Sequence, residues 1–176
     1  LSNTMYGPGT KPYQPEGIWD VVGLPSGNTR KYVQDTGDNL YRRTLYNFWK
    51  RMAPPPSLDA FNAPSREFCT VRRERTNTPL QALVTLNDPQ FVEAARFLAE
   101  NALQQGGGDD SAALDYIAHR VLCRPLRDQE QAIVLASKKK LLVYYQSSLE
   151  DAQALIAVGA SKASEKLDVA ELAAWT

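Results

Sequence analysis

The sequence predicts a mainly α fold: a helical domain with an extended, Pro/Gly-rich N-terminal segment and little or no sheet. Apolar residues recur at helical spacing in several stretches after residue 38, and cap residues and prolines bound these stretches. The first 37 residues are instead rich in Gly and Pro, which disfavour long regular elements. Alternating patterns typical of strands are nearly absent. Together these observations favour one helical domain over residues 1–176.

Residues 1–37 are interpreted as a segment that wraps around the rest of the domain. Its aromatic and aliphatic side chains are expected to anchor it to a core, and these are Tyr13, Ile18, Trp19, Val21 and Val22. A packed Trp19 is favoured over a Trp19 that lines a ligand cleft, because a buried indole contributes a large apolar area.

Residues 38–105 carry the motif-bearing helices. Asp38 or Asn39 caps a first helix whose apolar face continues to Met52, and the run 54–56 of three prolines ends it. The later patterns predict, in chain order, a turn over 58–62, a short strand or extended piece over 65–77, a helix over 79–86 behind Thr78 and Pro79, and a helix capped by Asp88 that continues to residue 104.

Residues 109–176 are predicted to form the C-terminal helices. Ser111 caps 112–122, and a long helix follows over about 128–147. Ser148 with Asp151, and Asp168 with Glu171, resemble capping boxes for two further helices. Because a last helix of about two turns is marginal alone, we expect the native protein to continue and the domain to be incomplete.

Composition excludes several classes of protein. Twenty basic and twenty acidic residues give zero net charge, which argues against a nucleic-acid-binding protein. No run approaches the ~20 apolar residues of a membrane span. With two cysteines and one histidine, no motif predicts a metal or a cofactor. Charge is nonetheless uneven, since residues 30–75 hold ten bases against five acids.

The densest polar feature is the Arg-rich run at residues 66–77. Guanidinium groups bind carboxylate or phosphate bidentately, so Arg72, Arg73, Arg75 and Asn77 are candidate ligands for an anion. The favoured alternative is a buried or half-buried ion-pair network, for which the chain offers the nearby carboxylates of Asp59, Glu67, Glu74 and Asp88.

Other reactive residues are interpreted structurally. Cys69 is expected to be a buried, inert thiol, and His119 lacks evident partners for metal binding. The run Lys138–Lys140 is predicted to be a solvated helix face. No pair of carboxylates can be assigned to acid–base chemistry from spacing alone.

The chain resembles the C-terminal planctomycete-specific domain of unknown function found in large planctomycete cytochrome-c-like proteins. The matching stretches are Gly7–Pro8, Lys11–Trp19, Tyr41–Arg43, Phe48–Arg51, Pro54–Ser57, Cys69–Leu83, Leu86–Pro89, Glu93–Arg96, Arg124–Pro125 and Ala170–Trp175. Two positions depart from the family pattern, since Tyr6 and Cys123 stand where the family tends to have Gly.

This resemblance implies an extracytoplasmic multidomain protein whose other domains, including a cytochrome-c-like domain, are its partners. It implies no activity. The leading hypothesis is therefore a non-catalytic structural or interaction module. The alternative is an enzyme domain that acts on polysaccharide or another anionic substrate through the Arg-rich run. A third hypothesis, an electron-transfer surface at Trp19 and Trp49, has no further support in the sequence.

Overall fold

The computed structural model describes residues 2–20, 22 and 30–176, and this part of the chain is mainly α-helical. Seven α-helices lie in it, with two short 3-10 turns and no strand longer than an isolated bridge. The helices are α1 (Pro56–Ala60), α2 (Pro79–Asn87), α3 (Pro89–Gly106), α4 (Asp110–Leu122), α5 (Asp128–Ser147), α6 (Leu149–Ile156) and α7 (Val169–Trp175). The predicted mainly α fold is confirmed.

The chain forms two compact units, Leu1–Asp88 and Pro89–Thr176. Their boundary falls inside the predicted segment 38–105, between α2 and α3. The single domain inferred from the sequence stays a prediction. None of the described helices has the length and apolar character of a membrane span.

The predicted helix over 38–52 is wrong. The residues form two 3-10 turns, Gly37–Tyr41 and Thr44–Tyr46, followed by irregular chain. Asn47 makes a parallel bridge with Thr10, through bonds from Thr10 N to Tyr46 O (2.8 Å) and from Phe48 N to Thr10 O (2.7 Å). The N–H of Phe48 and the carbonyl of Tyr46 therefore bond to the N-terminal segment, whereas in a helix they would bond to residues four positions away in the same helix.

Arg42 is the polar centre of this pairing. Its buried guanidinium donates to Pro8 O at 3.1 Å and to Tyr6 O, and it stacks 3.9 Å from the ring centroid of Tyr46. The guanidinium therefore satisfies carbonyl oxygens of an irregular segment that has no sheet partner for them.

Trp19 anchors the N-terminal segment as predicted. It is 2% exposed, and its ring lies 4.9 Å from that of Tyr32 and 5.5 Å from that of Phe48. The ammonium group of Lys50 stands 4.7 Å from the indole centroid. Val21, the fourth of the predicted anchors, lies outside the described residues.

Helices α1 and α2 complete the first unit, and the segment between them is exposed. Thr78 begins α2 as predicted: its hydroxyl accepts from Gln81 N, and Gln81 Oε1 accepts from Thr78 N. Of the short strand or extended piece expected over 65–77, the strand is absent, and these described residues form bends and irregular chain. A strand needs a neighbouring strand for its backbone groups, and none is offered here.

The second unit packs α3, α5, α6 and α7 around small apolar residues. Its core comprises Ala99, Ala152, Ile156, Leu172 and Ala173, with half-buried side chains such as Leu103 and Tyr145 packed against it. Asp168 caps α7 as predicted, because its carboxylate accepts from Glu171 N at 2.9 Å. Ser148 makes no side-chain cap bond, so the capping box predicted for α6 is wrong.

Buried charges lie beside this core, on α3. Arg96 is 1% exposed and pairs with Glu100 at 3.0 Å and with Glu93 at 3.7 Å. Arg96 also donates to the carbonyl (2.9 Å) and hydroxyl (2.7 Å) of Ser161, whose N–H donates to Glu93. This cluster ties the loop between α6 and α7 to α3.

Lys138 corrects the prediction of a solvated lysine face. Lys139 and Lys140 are exposed, but Lys138 is buried between helices. Its ammonium group donates to both carboxylate oxygens of Asp110, at 2.8 and 2.9 Å, and lies 3.6 Å from Glu171. It is the one residue of α5 classed as buried, and charge pairing makes that burial tolerable.

Candidate anion-binding site

The Arg-rich run lines a cleft of about 450 Å³ in the first unit, here called the Arg cleft. Its walls are Phe61, Asn62, Arg72, Arg73, Glu74, Arg75, Thr76 and Gln81. The end of α1 and the start of α2 provide the ordered walls, and the exposed segment between them carries the charges. Three of the four predicted site residues therefore come together. Asn77, the fourth, is exposed and is not part of the lining.

Arg73 holds the charged segment against the end of α1. Its Nε donates to Phe61 O at 2.7 Å, and its Nη2 donates to the same carbonyl. This carbonyl follows the last turn of α1, where helix carbonyls lack an internal partner. Arg73 is thus engaged structurally at the rim, although it keeps its full positive charge.

Arg72 and Arg75 differ from Arg73. Both are exposed, and among residues 2–20, 22 and 30–176 no hydrogen bond or ion pair engages either guanidinium. Glu74 lies between them in sequence and likewise forms no salt bridge within that part of the chain. The Arg cleft therefore presents donor groups that the described protein leaves available.

No salt bridge of the favoured ion-pair network engages Arg72, Arg73 or Arg75 in the part of the chain that the structure describes. Of the four carboxylates considered for it, Glu67 pairs with an arginine, and that partner is Arg51, at 2.9 Å on the surface. Arg66 instead lies 5.2 Å from the ring centroid of Trp49.

A small polar network fixes the floor of the Arg cleft. Gln81 Oε1 accepts from Thr78 N, so its Nε2 is the donor, to Ala60 O (3.0 Å) and to Thr76 Oγ1 (2.7 Å). Asn62 Nδ2 also donates to Thr76 Oγ1, at 2.6 Å. Because two N–H groups occupy the acceptor positions of this hydroxyl, its own proton is directed elsewhere.

A second cleft adjoins the first and is here called the aliphatic cleft. Its volume is about 530 Å³, and it shares Asn62 and Thr76 with the Arg cleft. The remaining lining residues are Pro15, Pro56, Ser57, Asp59, Ala60, Thr78, Leu80, Val84 and Asp88. This lining contains two carboxylates and no basic residue, whereas the Arg cleft has three arginines and one glutamate.

Sequence reasoning missed the contribution of α1 to the site. Phe61 and Asn62 were assigned to a short turn without a role. Asn62 adopts φ +55°, a left-handed conformation that Asn tolerates well after a helix end. An Asn shortly behind a Pro-initiated helix is thus the signal that could have placed this turn, but no pattern indicated that the turn would meet the Arg-rich run.

The other candidate residues do not assemble a site. Cys69 and Cys123 are both free and exposed, so the expectation of a buried Cys69 is wrong. His119 is exposed on α4, where Nδ1 lies 2.9 Å from the carbonyl oxygen of Asp115 and 3.2 Å from its carboxylate. No group of three or more His, Cys, Asp or Glu in the described ranges is arranged to hold a metal ion.

A comparison with known families shows to which family the chain is related. The family model of PSD1, a protein of unknown function (DUF1553), matches residues 1–137. The chain belongs to the PSD1 family. The matched region contains both clefts and ends within α5. No curated protein and no solved structure shows significant similarity to the chain.

Tyr6 and Cys123, the two positions where the resemblance implies Gly, share a backbone conformation. Tyr6 has φ +62° and Cys123 has φ +55°, both in the left-handed region. A Gly at either position would adopt this region without strain. Cys123 is also the C-cap of α4, a position where Gly is favoured.

Proposed function

We propose that the chain is a non-catalytic interaction module that binds carboxylate or phosphate groups in the Arg cleft. The observation that carries this proposal is the pair Arg72 and Arg75, exposed in a cleft and unengaged by the described residues. A guanidinium offers five donors in a planar fork, which suits the paired oxygens of these anions.

An architectural role for this run has less support. Arginines that stabilise a fold are buried or bonded, as Arg42 and Arg96 are in this chain. Arg72 and Arg75 share neither property. Three arginines within four positions instead raise the local positive potential, which attracts an anion to the cleft.

The alternative, an enzyme domain acting on polysaccharide, has a weaker basis. Glycoside hydrolysis usually employs two carboxyl groups on either side of the scissile bond. The lining of the Arg cleft has one carboxylate, that of Glu74. Binding of an acidic chain needs no such pair, so an interaction module accounts better for the residues present.

The resemblance to planctomycete proteins extends this proposal to the whole polypeptide. The module would be the C-terminal part of an extracytoplasmic protein of planctomycete type, with a cytochrome-c-like domain in the same chain. Anionic groups on those other domains, or on an acidic polysaccharide outside the cell, would then be the targets of the Arg cleft.

The test is a binding titration with the full chain. Labelled poly-L-glutamate, polygalacturonate and inorganic pyrophosphate serve as probes for wild type and for Arg72→Gln/Arg75→Gln. Loss of two charge-assisted bonds, each worth about 1.5–3 kcal/mol, predicts at least a hundredfold weaker binding. The control Lys139→Gln/Lys140→Gln removes the same charge from exposed positions of α5 and is expected to bind as wild type does.

Two results would overturn the proposal. Equal loss in the lysine control would show that net charge alone drives binding, and unchanged affinity in the arginine variant would show that the cleft is not used. Release of reducing ends from polygalacturonate that Glu74→Gln abolishes would favour the enzyme instead.

A further inference from the structure

We propose that the ligand of the two adjoining clefts is an extended peptide segment in which acidic residues stand next to aliphatic ones. This inference rests on the proposed anion site. The acidic side chains occupy the Arg cleft, and the aliphatic side chains occupy the aliphatic cleft. Asn62 and Thr76 line both clefts, so one continuous chain can cross from one to the other.

The opposite charges of the two clefts argue for a ligand that changes character along its length. The Arg cleft carries three arginines against one glutamate, and the aliphatic cleft carries Asp59 and Asp88 with no base. A uniformly acidic polymer would be attracted by the first cleft and repelled by the second. A polypeptide can follow its carboxylates with apolar or basic residues, whereas an acidic polysaccharide repeats the same charge.

The apolar walls of the second cleft fit an aliphatic side chain. Pro15, Pro56 and Ala60 face it together with Leu80 and Val84 of α2. Leu80 is 58% exposed, so a ligand side chain placed on it removes apolar area from water. Sugar rings usually pack on aromatic faces, and this lining has no aromatic residue.

Thr76 supplies a directed donor at the junction. Its hydroxyl already accepts from Asn62 at 2.6 Å and from Gln81 at 2.7 Å, so its proton is free for an acceptor on the ligand. A peptide backbone presents a carbonyl acceptor at every residue. A chain that crosses between the clefts therefore meets this donor whatever its side chains are.

The experiment measures the affinity of the full chain for labelled, end-blocked peptides. One peptide has two glutamates, two leucines and a lysine in that order, and a second has the reversed order, since the direction of binding is free. Hexaglutamate and polygalacturonate fragments are the uniformly acidic competitors. We expect one mixed peptide to bind at least tenfold more tightly than either competitor.

Two pairs of variants test the aliphatic cleft and the hydroxyl of Thr76 at the junction. Leu80→Gln is expected to weaken the mixed peptide about fivefold and to leave hexaglutamate unchanged. Leu83→Gln is its control, because Leu83 is equally exposed on the same helix but does not line the cleft.

Thr76→Val is expected to weaken peptide binding. Thr76→Ser keeps the hydroxyl and is expected to bind the peptide as wild type does.

The outcomes distinguish this inference from the proposed function. Tighter binding of polygalacturonate or hexaglutamate than of both mixed peptides, with loss in Arg72→Gln/Arg75→Gln, overturns the peptide inference and leaves the anion site standing. Equal effects of the Leu80 and Leu83 variants overturn it too. If Arg72→Gln/Arg75→Gln binds every probe as tightly as wild type does, both the peptide inference and the proposed anion site are overturned. Thermal melts of each variant verify that the fold is retained.

Discussion

Replacement of Arg96 by Met tests the buried charge cluster of the second unit. The guanidinium is 1% exposed and lies within ion-pair distance of Glu93 and Glu100, which are 4% and 7% exposed. Met keeps the apolar length of the side chain but leaves two buried carboxylates without their cation. Breaking a buried pair by removing one partner costs about 3–5 kcal/mol, and the bonds to Ser161 are lost as well. We therefore expect Arg96→Met to lose at least 3 kcal/mol of unfolding free energy.

Urea denaturation followed by circular dichroism measures this loss, with Arg75→Met as the matched control. Arg75 is exposed and unengaged in the described part of the chain, so its variant is expected to stay within about 0.5 kcal/mol of wild type. The triple variant Arg96→Met/Glu93→Gln/Glu100→Gln removes all three charges and is expected to regain at least half of the loss. A cost below 1 kcal/mol for Arg96→Met, or no recovery in the triple variant, would refute the argument from uncompensated charge.

Three further predictions concern backbone strain and pH. Gly159→Ala is expected to destabilise by about 2–4 kcal/mol in urea denaturation, because φ is +101° and an added Cβ would lie 2.7 Å from Oε1 of the buried Glu93; a neutral result would contradict the close packing. Cys123→Gly is expected to stabilise by up to about 1 kcal/mol, measured in the same way, since Gly adopts the left-handed C-cap of α4 without strain; a loss of stability would refute this. The Arg124 guanidinium, together with the Arg127 N–H, lowers the pKa of Glu130 from 4.5 to about 2. Its contribution to stability is thus fully present above about pH 5 and disappears as the pH falls towards 2. Unfolding curves of Glu130→Gln and wild type should accordingly converge near pH 2, and a constant difference across this range would contradict the assignment.

Local signals predicted the helices after residue 78, although Asp109 rather than the predicted Ser111 caps α4 and Ser148 makes no cap bond to α6. Thr78 and Asp168 cap α2 and α7 through side-chain bonds to backbone N–H groups three residues later. Such bonds depend on nearby sequence alone. The long α5, expected over about 128–147 without a cap signal, spans Asp128–Ser147.

The first unit was harder to predict because distant residues decide its structure. The apolar spacing of 38–52 favoured a helix, but pairing of Thr10 with Asn47 replaced helical bonds across 37 positions of sequence. Arg42 reaches back to Pro8 and Tyr6 in the same way. Tertiary contacts of this kind override a periodic pattern, and no spacing rule reveals them.

The sequence identifies the Arg-rich run as a candidate site, but it does not reveal whether the arginines are paired with carboxylates. From the sequence, four nearby carboxylates made an internal network the favoured interpretation. Among the described residues Arg72 and Arg75 form no such pair, because the segment that carries them is irregular and exposed. Whether a charge finds a partner depends on the path of the chain between α1 and α2, and composition carries no information on that path.

The buried cations of the second unit and the Arg-rich run of the first unit differ in how their charges are paired. In the second unit, even the deeply buried Arg96 and Lys138 have carboxylate partners within hydrogen-bond distance. In the first unit, adjacent arginines lie in an irregular segment that also exposes Phe68 and Val71. Departures from the rules that stabilise a fold concentrate at sites where a ligand supplies the missing contacts. An anionic, partly apolar ligand would provide the charge that these arginines lack and cover the apolar side chains beside them. This contrast supports our proposal that the residues of the Arg cleft serve binding rather than folding.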